Sequence, residues 1–335
     1  MNNIKKIGMT ALAASLVSTS VFAGEMTVAG SASLTTDGYS AVSRNAGTGF
    51  SMGNQLTFSG SGELDNGMNV SLSFVLDQGD DKKTTANSAT VPASATSPFD
   101  SHSITISSDA MGTLVFAGEG GSSTATSIDT TSAGDIWDNF DGVSGGGTAG
   151  VAVTDSAPGD NSFFYTLPEM LDGLAVNASY KPQGSNAASA TGYGLAYTGY
   201  EGLAVHYAVT DIDTAATNTS GDQTVAKASY AYGSVTVGYS NSFVDLGNTD
   251  MTGDQETTSM SISYTVSDAI SITYGEETVN KKSAATDAEY SMLSGSYTAG
   301  GMTVTAKMAD GENTAFGTDA NEDLEYWSLG LSFAF

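Results

Sequence analysis

Along most of the chain, apolar and polar residues alternate with a period of two. In Met68 to Asp77, Met68, Val70, Leu72, Phe74 and Leu76 share one face, while Asn69, Ser71 and Ser73 share the other. The same comb recurs at Val235, Val237 and Tyr239 against Thr236, Gly238 and Ser240. It returns at Met260, Ile262, Tyr264 and Val266 against Ser261, Ser263 and Thr265, and at Ile270, Ile272 and Tyr274 against Ser271 and Thr273. Neighbouring side chains of a strand point to opposite faces, so each segment is a strand with one apolar and one hydroxyl-rich face. No stretch carries a convincing helical period.

The connections between these segments sort into two kinds. One is tight: Asp65-Asn66-Gly67, Asp109 to Gly112, Glu169 to Gly173, Tyr200-Glu201-Gly202, Tyr232-Gly233, Ser267-Asp268-Ala269 and Ala299-Gly300-Gly301. Gly and Asn accept positive φ and Asp bonds back to its own backbone, so these close hairpins. The other kind is long, polar and acidic, at roughly 36–51, 78–100, 120–160, 182–189, 211–222, 245–253, 280–287 and 310–321. Long and short connections alternate strictly, and eight of one with seven of the other join sixteen strands. An even number of antiparallel strands with short turns at one rim and long loops at the other predicts an all-β fold, a transmembrane antiparallel β-barrel. Closure removes the sheet edges and satisfies the backbone bonds that lipid cannot. Tyr165, Tyr200, Tyr232 and Trp327 fall near strand ends, where amphipathic rings meet headgroups. Two places break the comb: the apolar phase shifts around Met292 and Leu293, and Leu114, Val115, Phe116 and Ala117 are apolar on both faces.

The first residues have a different character. Lys5 and Lys6 precede an apolar run from Ile7 to Val17, and Val21-Phe22-Ala23 offers small residues where a signal peptidase reads. The run is well short of the roughly 20 residues of a membrane span. The expectation is a signal peptide over residues 1–23 and a barrel domain over 24–335. Cysteine is absent, which excludes disulfides and thiolate metal sites. With the leader removed, 8 basic residues face 37 acidic ones, a charge of about −29 that repels nucleic acid and attracts cations. An apolar content of 40%, with 13 Phe and 15 Tyr, argues against disorder at this charge.

The last strand places Trp327, Leu329, Leu331, Phe333 and Phe335 on one face and ends on that Phe. This resembles the C-terminal signal of outer-membrane barrels, which their assembly machinery recognises. With the leader and the loop pattern, the whole chain resembles a Gram-negative general porin, nearest the α-proteobacterial group. The resemblance implies a homotrimer in the outer membrane, in contact with its lipid and lipopolysaccharide. It also implies both termini on the periplasmic side and passive diffusion of small hydrophilic solutes. In such proteins the third long loop folds into the barrel and narrows it.

Here the third long connection, about Gly120 to Gly159, is the longest and contains no Lys or Arg. Asp129, Asp135, Asp138, Asp141, Asp155 and, at its end, Asp160 make it an acidic candidate for the constriction, with Trp137 and Phe140 as anchors. The Pro-Glu-Phe-Gly stretch of enterobacterial porins is missing from it. The basic wall cluster common in porins is also missing, since Arg44, the one Arg, falls in the first loop. By alternation Lys181, Lys227 and Lys307 point inward, as do Glu63 and Glu119; a lipid-facing charge near the midplane would cost about 2–4 kcal/mol. Carboxylates in a narrow channel enrich cations, so the expectation is a cation-selective pore.

Other chemistry finds little support. His102 has Asp100 and Ser101 beside it, but strand neighbours face opposite ways and form no triad; His206 reads as a polar lumen residue. The run Asp135 to Gly142 could bind Ca²⁺, yet it lacks EF-hand spacing and a closing Glu. Gly118-Glu119-Gly120-Gly121 is too weak a signal for phosphate binding, and the Asn177 and Asn218 glycosylation patterns read as chance. The competing classes are a structural or adhesive surface barrel without an open pore, and a barrel enzyme, which needs a nucleophile or base that the sequence does not group.

Overall fold

The structure, a computed structural model, describes residues 26–40, 47–77, 99–128, 131–140, 160–182, 188–214, 221–245, 254–314, 316–317 and 323–335. The predicted leader at 1–23 and Arg44 lie outside the described residues. The first strands are β1 (Met26–Tyr39), β2 (Gly47–Glu63), β3 (Asn69–Asp77), β4 (Phe99–Ser108) and β5 (Gly112–Glu119). There follow β6 (Ser162–Thr166), β7 (Leu174–Lys181), β8 (Ala188–Tyr200), β9 (Leu203–Thr214), β10 (Gly221–Tyr232) and β11 (Val235–Asp245). The last are β12 (Gln255–Ser267), β13 (Ile270–Lys281), β14 (Ala288–Ala299), β15 (Met302–Glu312) and β16 (Leu324–Ala334). Each strand pairs antiparallel with its sequence neighbours, and β1 pairs with β16, so the sheet closes on itself. The sixteen strands and their up-and-down order are those the comb predicts.

The period-two comb becomes two surfaces. Leu34, Met52, Leu72, Ile104, Ile262, Ile272 and Leu329 lie outside and exposed, available to lipid. Toward the long-connection end, the outward positions turn acidic. Asp222 pairs with Asp211 on one side and Asp245 on the other, Glu289 with Glu312, and Asp310 with Glu325. Those carboxylates mark where the hydrocarbon ends, because charge nearer the midplane costs several kcal/mol. At the short-turn end Tyr200 and Tyr232 are exposed, and the Tyr165 hydroxyl donates to the Met111 carbonyl in the neighbouring turn. Both ends of the sheet also lie there, where Gly30 and Phe335 exchange backbone bonds of 2.7 and 2.9 Å.

Three local readings need correction. The strands run further than the polar stretches suggest: Thr36 to Tyr39 and Gly47 to Ser51 are strand rather than loop, as is Lys281. A barrel strand has a wet inner face and ends beyond the lipid, so polarity does not mark its end. The phase shift at Met292 is no bulge, since β13 and β14 pair without interruption from Ile270 to Val279. Tyr290 and Met292 face inward and are apolar because they belong to an internal cluster. A register shift does occur between His102 and Ser103, and it pairs Glu119 with His102. Alternation therefore does not carry an inward assignment to Glu119, whose carboxylate lies 3.8 Å from the His102 imidazole.

Candidate functional site

The third connection enters the barrel and follows its inner wall. Its first part sits on β7 to β10. Thr124 donates its backbone N–H to Ser179 at 3.1 Å and its hydroxyl to the Val209 carbonyl at 3.0 Å. Ala125 packs against Ala208 and Val225. The next part runs across β11 to β13: the N–H of Ser132 donates to Ser240 at 2.8 Å, and that of Ala133 to Ser259 at 2.9 Å. Gly134 and Asp135 both have positive φ, 88° and 53°, and turn the chain into a short 3-10 segment, Ile136–Phe140. Asp suits that conformation because its side chain can bond locally. Here the Asp135 carboxylate accepts the Thr131 N–H at 2.9 Å, and the Asp135 N–H donates to the Thr131 hydroxyl at 2.8 Å.

The far end is held by an apolar cluster inside the barrel. Ile136 and Phe140 pack with Val279, Tyr290, Met292, Leu324 and Tyr326, and the Phe140 ring centroid lies 5.5 Å from that of Tyr290. Tyr39 on β1 donates its hydroxyl to the Asn139 carbonyl at 2.7 Å. Inward aromatic residues on β1, β14 and β16 thus make an anchor that alternation alone assigns no purpose.

One carboxylate organises the middle of the loop. Glu277 on β13 points inward, is 1% exposed, and accepts the Thr131 hydroxyl together with the Trp137 N–H at 3.1 Å. A buried carboxylate is tolerable only when its lone pairs are filled in this way. Lys227 on β10 reaches the same turn, donating to the Thr131 carbonyl at 3.3 Å. Glycines let the loop lie flat. A Cβ on Gly192 would overlap Thr124 and Ser179, one on Gly238 would overlap Ser132, and one on Gly275 would come within 2.5 Å of the Ala133 Cβ. All three glycines face inward, at comb positions where a hydroxyl would serve equally well for a wet wall, so their lack of a side chain marks the loop's track.

The sequence-predicted residues divide accordingly. Asp135 and Asp138 lie on the internal loop, Asp138 exposed; Asp160 is exposed just ahead of β6. Asp129, Asp141 and Asp155 lie outside the described residues. Lys181, Lys227 and Lys307 occupy inward register positions, opposite Ala190, Ser240 and Ser294 respectively, and Glu63 occupies one opposite Asn69. His206 is likewise inward, paired with Lys227. Sequence reasoning missed Glu277 and Asp37, both buried on the inner face, and Lys281, whose ammonium lies 5.4 Å from the Phe316 ring centroid. Each lies in a stretch whose polarity reads as loop or as an outward rim. Among the described residues no group of three or more acidic or His side chains is placed to hold a metal ion.

The loop and its anchors occupy the inner side of β7 to β16 and reach β1. The inner side of β2 to β6 is left to the lumen among the described residues. Those five strands contain no Lys or Arg. Their inward positions are mainly hydroxyls, such as Thr57, Ser59, Ser71, Ser73, Ser103, Thr105 and Ser107, with Asp77 toward the loop end and Glu63 at the turn end.

A closed sixteen-strand barrel with an apolar exterior, a hydroxyl-lined interior and one loop laid inside it defines a transmembrane channel. The family model described as Gram-negative porin matches residues 8–291, and the chain belongs to that family. It is an outer-membrane porin. No curated protein matches the chain. Among solved structures it is similar to a form of the Vibrio cholerae outer-membrane protein OmpT lacking loop L8, with TM-score 0.68 and 15% identity over 93% of this chain and 99% of the other. It is similar as well to an anion-selective porin from Comamonas acidovorans, with TM-score 0.66 and 15% identity over 93% and 100%. An engineered variant of the Rh. blastica porin gives TM-score 0.62 and 15% identity over the same shares. At these identities the likeness is one of fold.

Proposed function

We propose that this porin passes small hydrophilic solutes and favours cations. The observation that supports this most is the wall of β2 to β6, which has no Lys or Arg and carries inward Asp77 and Glu63 at its two ends. Asp138, exposed on the internal loop, adds a further carboxylate inside the barrel. Lys227 is spent on the loop backbone and does not stand on the open wall. Fixed carboxylates on a channel wall act on ions that pass within the roughly 8 Å Debye length of physiological salt. A fold neighbour is an anion-selective porin, so the barrel alone does not set the preference; the wall charges do.

The remaining assignments belong to the same reading. Residues 1–23 are removed on export, the barrel forms a homotrimer embedded in outer-membrane lipid and lipopolysaccharide, and assembly uses the strand from Trp327 to Phe335. The test is the purified protein in a planar bilayer under a salt gradient. Stepwise current in threes with a reversal potential toward cations is the expected result. Steps with anion preference would overturn the selectivity, and protein that inserts without conducting would favour a structural or adhesive barrel.

A further inference from the structure

The side of the lumen that the loop leaves open among the described residues is not smooth. Where the third connection departs from β5 and returns to β6, a cavity of about 320 Å³ opens between the wall and the loop root. Its wall is made by residues of four adjacent strands: Ser73 on β3, Ser101 and Ser103 on β4, Val115 on β5 and Phe164 on β6, with the His102 and Glu119 pair at its edge. Ser122 closes it from the loop.

The state of these hydroxyls sets them apart. Beneath the loop, wall hydroxyls are already engaged: Ser179, Ser240 and Ser259 accept from loop N–H groups, and Ser261 bonds Ser132 at 2.9 Å. On the neighbouring strands Ser263 bonds Thr273, and Ser271 bonds Ser296, each at 2.8 Å. The hydroxyls of Ser73, Ser101, Ser103 and Ser122 make no hydrogen bond to other described residues. Each can donate one bond and accept others. Phe164, alone among the β6 aromatics in facing inward, supplies a flat apolar surface beside them, while Phe163 faces out.

Free hydroxyls and the Glu119 carboxylate, which accepts from hydroxyl groups and repels anions, beside an aromatic face and with no Lys or Arg on β3 to β6, suit a ligand that is itself hydroxyl-rich, uncharged and apolar along its C–H edges. We infer that this niche is a transient binding site for a neutral sugar of about monosaccharide size, which stages the solute at the loop-3 root before it passes the constriction. The inference rests on the pore reading, and it adds a saturable step to diffusion that is otherwise linear in concentration.

The test uses the full-length trimer in a planar bilayer, with D-glucose added to the long-loop side. Open-channel steps in salt alone establish a folded pore. Glucose is then expected to reduce the current saturably and to add current noise. In F164A, and separately in the S73A/S103A double variant, the half-saturating concentration should rise about tenfold, the effect of two lost hydrogen bonds or their equivalent. A decrease that follows solution viscosity alone, without saturation, would overturn the niche and leave the porin intact. Saturable block that is the same in wild type and both variants would place the binding elsewhere and also overturn it. Absence of steps in salt would instead sink the pore reading.

Discussion

The carboxylate of Glu277 and the backbone N–H of Trp137, 140 positions apart in sequence, meet at 3.1 Å in the interior of the barrel. With the Thr131 hydroxyl on its other oxygen, Glu277 spans the turn that carries Asp135 and closes it against β13. Replacing it with Ala would strand a buried N–H and a buried hydroxyl, each costing about 1–3 kcal/mol. The barrel ladder does not depend on this contact. E277A should therefore keep its heat-modifiable gel migration but show frequent sub-conductance transitions, read from single-channel records. A record as quiet as wild type would show that the loop is held without this carboxylate.

The track of inward glycines makes a second, steric test. Gly275 lies under Ala133, and a side chain there must displace the loop toward the open wall or abolish its hydrogen bond to Ser259. G275V is expected to lower single-channel conductance measurably while leaving the outward face, and hence membrane insertion, unchanged. Unaltered conductance would mean that the loop's position does not limit the current.

How far the sequence alone reaches follows from what each surface asks of its residues. The outer face must be apolar and the inner face wet, and both demands repeat every two residues, so β12 and β13 are legible from Met260 to Tyr274 without a structure. Strand ends are not, because beyond the lipid both faces are polar; Asp37 and Lys281 were hidden for that reason. The loop's anchors are hidden for another. Tyr290 and Met292 look like a phase error because an inward apolar residue makes sense only once Phe140, 150 positions earlier, is known to rest on it. Gly238, by contrast, fits the comb as an ordinary non-apolar inward position, and only the Ser132 contact explains why it has no side chain.

The last residue extends the barrel seam beyond the nine register pairs that join β1 and β16. Phe335 and Gly30 exchange both backbone bonds at the seam, and the Phe335 ring covers the space above Gly30. Deleting Phe335 removes two hydrogen bonds, each worth about 0.5–1.5 kcal/mol net, from the one strand pair that joins the ends of the sheet. Folded, heat-modifiable protein in outer-membrane fractions should fall several-fold. Full yield would show that the terminal Phe serves neither closure nor assembly.

The selectivity reading makes its sharpest prediction at Lys227. This ammonium is the mid-wall cation nearest the loop turn, bonded to the Thr131 carbonyl, with His206 paired beside it. If wall carboxylates set the preference, Lys227 opposes them, and its removal should strengthen cation preference. A unit charge about 10 Å from a passing ion in water contributes about 0.4 kcal/mol, roughly a twofold change in permeability ratio. K227M should therefore shift the reversal potential toward the cation limit by that factor in dilute salt. The shift should fade at 1 M salt, where the screening length is about 3 Å. A shift of the same size at both salt concentrations would point to movement of the loop rather than to the charge, and a shift toward anions would contradict the carboxylate origin of the selectivity.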